Sequence, residues 1–169
     1  MLTERLMAIN EEKYQNVILY LSSELGGEIR GKKKLAKLLY FVDFDFFETA
    51  EKPITGDIYK ALPMGPFPVH MEGVIKDLAE ASKITISHEE VPGYNNATEV
   101  YKSKEKFDPE IFSPEEINVM SRVVLRYGHL TGKQLEDLTH AEAPYIGTKA
   151  NDEIAYELAF YRGTDFSND

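Results

Sequence analysis

Apolar residues recur along most of this chain at helical spacing. Tyr14, Val17, Ile18, Leu21 and Leu25 fall on one i, i+3, i+4, i+7, i+11 stripe, which predicts an amphipathic helix over 11–25. Asn10 is placed to cap its start and Gly26-Gly27 to end it. Over 33–50 the stripe Leu35, Leu38, Leu39, Val42 and Phe46 is widened by Tyr40, Phe41, Phe44 and Phe47. A helix apolar most of the way round is covered on several sides, so this one is the predicted heart of the core.

The pattern then breaks. Pro53 and Gly56 mark a loop, 57–62 reads as a short extended piece, and Pro63-Met64-Gly65-Pro66-Phe67-Pro68 reads as a stiff connection. A helix follows to about residue 81 with Met71, Val74, Ile75 and Leu78 on one face. Ile84 and Ile86 alternate with Thr85 and Ser87 as in a strand, Pro92-Gly93 and Asn95-Asn96 supply turn chemistry, and 98–101 can return as the second strand of a hairpin. Ser113-Pro114-Glu115-Glu116 is a capping box with proline at the first helical position; Ile117, Met120, Val124 and Tyr127 make the stripe behind it, and Gly128 stops it. Thr131 and Gln134 form a second capping box for a helix through 139, and Asn151 or Asp152 can cap a last helix carrying Ile154, Leu158 and Tyr161. The expected fold is mainly α: one domain over 1–169 with its core at about 11–161, about six helices around the central apolar helix plus a small β-hairpin, with α+β as the alternative.

Composition narrows the chemistry. The chain has 169 residues and no cysteine, which excludes a disulfide framework, a thiolate zinc site and a cysteine nucleophile. The first residues lack the apolar core of a signal peptide, and no apolar stretch is long enough to cross a bilayer, so a cytoplasmic chain with no membrane contact is expected. In that setting Asn96-Ala97-Thr98 is an accidental glycosylation sequon. The net charge of −10, from 29 acids against 19 bases, disfavours binding to nucleic acid by the chain alone and suits a basic protein partner.

Candidate sites are few. His70, His88, His129 and His140 show no tight metal-ligand spacing, and no phosphate loop, nucleophile elbow or dinucleotide fingerprint occurs, so no metal, cofactor or catalytic residue is assigned. His140 with Asp137 and Glu142 is the nearest approach to an acid–base cluster; its plainer reading is a hydrogen-bonded helix end. Residues 127–139 have the look of a helix-turn-helix, but the second helix sets Glu136 and Asp137 beside Lys133, which favours a structural helix pair. Lys32, Lys33, Lys34 and Lys37 open the central helix while Asp43, Asp45 and Glu48 close it, against the helix dipole. That order marks either a solvated end or a contact with an acidic segment of a partner. Met64, Gly65, Pro66 and Phe67, together with Asp137, Thr139, His140 and Tyr145, are the candidate partner-binding residues, because both segments mix stiff backbone with aromatic and polar groups.

These pieces also resemble a known family. Lys37-Leu38-Leu39-Tyr40-Phe41-Val42-Asp43-Phe44 resembles the "KLLYFAD" helix of the SocA-like antitoxins, also called the Panacea domain. Residues 52–59 and 62–66 resemble its "GKPITG…Y…LPYGPVP" segment, 131–145 its "LSDLTH…PW" element, and 156–159 its "YELA". Met64 stands where an aromatic residue is usual, Tyr145 where tryptophan is common, and Glu51 where glycine is common. The resemblance implies an antitoxin that neutralises a neighbouring toxin by direct binding, with one branch handing its toxin to a bacterial protease and relatives in phages and prophages. It implies no catalytic residue. An enzyme built on Asp137, His140 and Glu142, or a helix-turn-helix-type regulator, are the competing expectations.

Overall fold

The computed structural model describes residues 8–93 and 96–167. The turn role of Asn95 and the reading of residues 1–7 lie outside the described residues.

Helix α1 is Glu11–Glu24, and the Asn10 side chain accepts from the Lys13 N–H at 3.0 Å as its cap. Strand β1, Glu28–Arg30, follows it directly and leads into α2, Lys32–Ala50. Every residue of α2 from Leu35 to Phe47 is buried, with Leu38, Leu39 and Val42 at 0% exposure. Its apolar circumference is met ring by ring: Phe41 stacks on Tyr127 at 3.9 Å, Phe44 packs on Tyr59 and Tyr156, and Phe47 on Tyr156 and Phe160. The predicted centre of the core is the observed one.

The stiff connection at 63–68 is instead part of a hairpin. Strands β2, Tyr59–Leu62, and β3, Gly65–Pro68, pair antiparallel with Leu62 opposite Gly65 and Tyr59 opposite Pro68. Pro63 supplies the fixed φ at the first turn position and Gly65 takes a φ of 109°, which closes a two-residue turn. Prolines at 66 and 68 hide the strand from pattern reading, because they cannot donate to a ladder and are confined to edges. On its other side β2 is bordered by the chain near its C-terminal end: Asn151 donates to the Ala61 carbonyl at 2.8 Å, Ala61 to Asp152 at 3.0 Å, and Ile154 to Tyr59 at 2.7 Å. That extended stretch occupies the start of the predicted last helix, so neither Asn151 nor Asp152 caps it. A 3-10 helix, Tyr156–Tyr161, takes its place, and Tyr161 is 78% exposed rather than part of a buried stripe.

Helix α3, Met71–Glu80, buries the predicted Met71, Val74, Ile75 and Leu78. The predicted hairpin is β4, Ile84–Glu89, with β5, Thr98–Ser103, but β1 joins it to give the antiparallel sheet β1-β5-β4. After one turn of 3-10 helix at Pro109–Ile111, the chain forms α4, Pro114–Tyr127, α5, Gly132–His140, and α6, Ala143–Ile146. Both predicted capping boxes are present. The buried stripe of α4 is rotated toward Val119, Met120 and Val123, leaving Ile117, Val124 and Tyr127 half-buried. With two sheets packed among the helices, the fold is mixed α+β rather than mainly α.

Candidate functional site

Two segments that are far apart in sequence meet at one corner. The tip of the β2–β3 hairpin is Pro63-Met64, and the α5–α6 junction props it from below. The Tyr145 hydroxyl donates to the Leu62 carbonyl at 2.6 Å, and His140 Nε2 lies 3.0 Å from the Pro63 carbonyl. His140 Nδ1 lies 2.7 Å from the Glu136 carbonyl, so a neutral ring donates to one of its two neighbours at a time. The His140 and Tyr145 rings meet edge to face at 4.5 Å. Gly65 rests on Thr139, whose hydroxyl donates to the Glu136 carbonyl at 2.9 Å; a Cβ at Gly65 would stand 2.9 Å from that hydroxyl.

Burial sorts these candidates into two groups. Gly65, Pro66 and Thr139 are buried, while Phe67, His140 and Tyr145 are half-buried. Met64 is 60% exposed at the tip. Asp137 stands apart, facing solvent and paired with Lys133 at 3.0 Å.

The acid–base cluster of Asp137, His140 and Glu142 is not assembled. Glu142 turns inward, where its carboxylate accepts from the Tyr40 hydroxyl at 2.7 Å and from Arg162 Nε at 3.1 Å, while burial raises its pKa. Asp137 turns outward, and His140 is held by carbonyls. Among the described residues, no group of three or more His, Asp or Glu side chains is placed to hold a metal ion. In the helix-turn-helix candidate, α5 buries Leu135, and Lys133 is tied to Glu136 and Asp137 on its own helix.

The charged residues of α2 are a solvated end only in part: Lys32, Lys33, Lys34 and Glu48 are half-buried, whereas Lys37, Asp43 and Asp45 are buried. Lys32 pairs with Glu72, Lys33 with Glu136 at 2.7 Å, and Lys34 donates to the Gly128 carbonyl at 2.7 Å. Lys37 is 1% exposed and donates to the Pro66 carbonyl at 2.9 Å; burial lowers its pKa to about 8. At the other end, Asp43 is completely buried and accepts from the backbone N–H groups of Ile54 and Thr55 at 2.9 and 2.7 Å, from the Tyr59 hydroxyl at 2.6 Å, and from the Thr55 hydroxyl. Asp45 receives Arg122 and Arg162. A further carboxylate, Asp57, takes the Tyr14 hydroxyl at 2.6 Å and lies 2.7 Å from His70 Nδ1. The signal for these residues was in the sequence: a helix apolar on all sides that still carries Lys37, Asp43 and Asp45 must bury them with partners. Nothing in periodicity names the partners, so Asp57, His70 and Arg162 went unassigned.

Most of α2, the β2–β3 hairpin and the α5–α6 corner fall in the part of the chain that a family model recognises. The model, antitoxin SocA-like, Panacea domain, matches residues 35–145, well over half of the chain. The protein belongs to the SocA-like antitoxin family. No curated protein and no solved structure matches it. Among the described residues, no helix is long and apolar enough to cross a membrane.

Proposed function

We propose that this protein is the antitoxin of a toxin–antitoxin pair and neutralises its toxin by direct protein–protein contact. The family match over 35–145 carries the reading. The corner where hairpin and helices meet supports it as the contact face. Met64 and Phe67 offer apolar anchors there, and the backbone beneath them is braced by His140 and Tyr145, so docking costs little ordering. Gly65, Pro66 and Thr139 shape this face from within, and Asp137, exposed and paired with Lys133, would meet a partner only at its outer edge. The net charge of −10 favours a basic toxin, whose approach the field would speed. Delivery of the bound toxin to a bacterial protease would be a second step.

The test is co-expression with the neighbouring small gene. Growth should stop when that gene is expressed alone and recover when this chain is present. Met64→Ala and Tyr145→Ala, each first shown to be folded by circular dichroism, should weaken co-purification of the pair. Toxin half-life in protease-deficient cells separates simple masking from delivery. A neighbour that is harmless alone, or harmful and indifferent to this chain, would remove the reading.

A further inference from the structure

A cleft of about 560 Å³ opens beside the hairpin, between the start of α2 and the start of β5. Lys32, Lys33, Lys37, Met64, Phe67 and Glu99 line it, among others. On a molecule with ten more acids than bases, this wall is basic. Its lysines are spent unequally. Lys32 and Lys33 remain partly exposed, and each gives its carboxylate partner, Glu72 or Glu136, only part of a three-donor ammonium. The one carboxylate on the lining, Glu99, accepts from the Tyr101 hydroxyl. Lys37 differs from both. It is more than nine-tenths buried, its single hydrogen bond among the described residues goes to the neutral Pro66 carbonyl, and no described carboxylate lies within ion-pair distance. A buried cation hydrogen-bonded only to a neutral carbonyl is costly and projects its field into the nearest low-dielectric space, here the cleft; Glu136, which offsets that charge from a distance, is itself paired with Lys33. The lowered pKa of Lys37 has the same origin.

We infer that this cleft seats a carboxylate side chain of the partner polypeptide, an aspartate or glutamate with an apolar neighbour. The inference rests on the protein-binding reading above and names the chemistry of one contact within it. The leftover donors of Lys32 and Lys33 bond the carboxylate, the buried charge of Lys37 favours it from beneath, and Met64 and Phe67 cover the neighbouring apolar side chain. Three lysines against one lining carboxylate, Glu99, make the lining itself positive, which favours an anion. A nucleic-acid strand would instead meet the repulsion of an acidic body around this one basic wall. An acidic residue at this point also gives a basic toxin its register, since the acidic surface elsewhere repels that residue.

The full chain, labelled with nitrogen-15, is titrated with N-acetyl-Asp-Phe-amide and with its neutral isostere N-acetyl-Asn-Phe-amide. The Asp peptide should shift the amides of Gly31, Lys33, Met64 and Thr98 and bind roughly ten-fold more tightly or better, the worth of a charge-assisted hydrogen bond. Lys37→Met keeps the volume and removes the charge; it should erase most of that preference. Lys33→Met, on a partly exposed residue, provides the same readout should Lys37→Met fail to fold. Equal binding of the two peptides, shifts scattered away from the cleft, or full preference retained in the folded variants would overturn the inference. So would a short oligothymidylate that shifts the same amides more tightly than the Asp peptide. A chain that protects cells from its toxin yet does not discriminate the peptides loses this inference alone. One that discriminates them but binds no neighbouring gene product loses the antitoxin reading alone.

Discussion

Asp43 places a carboxylate at the centre of the protein, where burial pushes its pKa up to about 6 against the opposing hydrogen bonds from Thr55, Tyr59 and Ile54. In the unfolded chain an aspartate titrates near 3.9. Between those values the native state holds more protons than the unfolded one, so stability falls as pH rises from about 4 to about 6 and is level above. The separation corresponds to at most roughly 3 kcal/mol. Urea unfolding of the wild type and of Asp43→Asn, which cannot titrate there, should show the wild type losing ground to the variant across that window; a constant difference would refute the assignment. Gly65 is the second residue whose identity is forced. Its φ of 109° disfavours any Cβ, and a Cβ would stand 2.9 Å from both Lys37 Cε and the Thr139 hydroxyl. Gly65→Ala should therefore cost roughly 1–3 kcal/mol in urea unfolding. In a Thr139→Ala background part of the clash is gone, so the cost should be smaller; strict additivity would show that the two residues do not press on each other.

At the scale of elements, α2 organises much of the rest, since α4, the hairpin and the C-terminal segment all pack on its rings. Leu39→Ala, at a position of 0% exposure, should cost about 2–5 kcal/mol by thermal or urea unfolding, and a loss under about 1 kcal/mol would mean the core collapses around the gap. Elements of this kind were legible in the sequence, because a 3.6-residue period and a cap speak for themselves: α1, α2, α3, α4 and α5 lie close to where the pattern puts them. The strands divided by their chemistry. Ile84–Glu89 alternates and was found, whereas β1 is three residues long and β3 holds two prolines, so neither carries a strand period. The candidate site was half legible for the same reason. Unusual composition marks out Met64–Pro68 and Asp137–Tyr145, of which Asp137 faces solvent, but the meeting of the two segments depends on carbonyl contacts at Leu62 and Pro63, which leave no trace in residue type.

The whole molecule is closed by its C-terminal segment, most of it beyond the family frame. Rings of Phe44 and Phe47 pack on Tyr156, and Thr164 donates to Glu48 through its N–H at 3.1 Å and its hydroxyl at 2.8 Å. Between them Arg162, its side chain 1% exposed, gathers three carboxylates: Asp45 at 2.7 Å, Glu142 at 3.1 Å and Glu48 at 3.2 Å. Asp45 and Glu48 belong to α2, whereas Glu142 is the residue on which α6 starts, two positions after His140 and three before Tyr145. One guanidinium thus ties the central helix to the corner that props the hairpin. Arg162→Met keeps most of the packing volume but leaves those carboxylates without this cation, and loss of one member of such a buried set costs about 3–5 kcal/mol. The damage should be local as well as global. With Glu142 released, the α5–α6 junction should open before α2 does, so limited proteolysis of the variant should cut first near 141–150 while α2 stays protected. Toxin co-purification should weaken even though Arg162 lies away from the proposed contact face, and adding Glu142→Gln, which removes one of the stranded charges, should recover part of both losses. A variant as stable as the wild type, or one first cut inside α2, would show that Arg162 does not hold the corner in place.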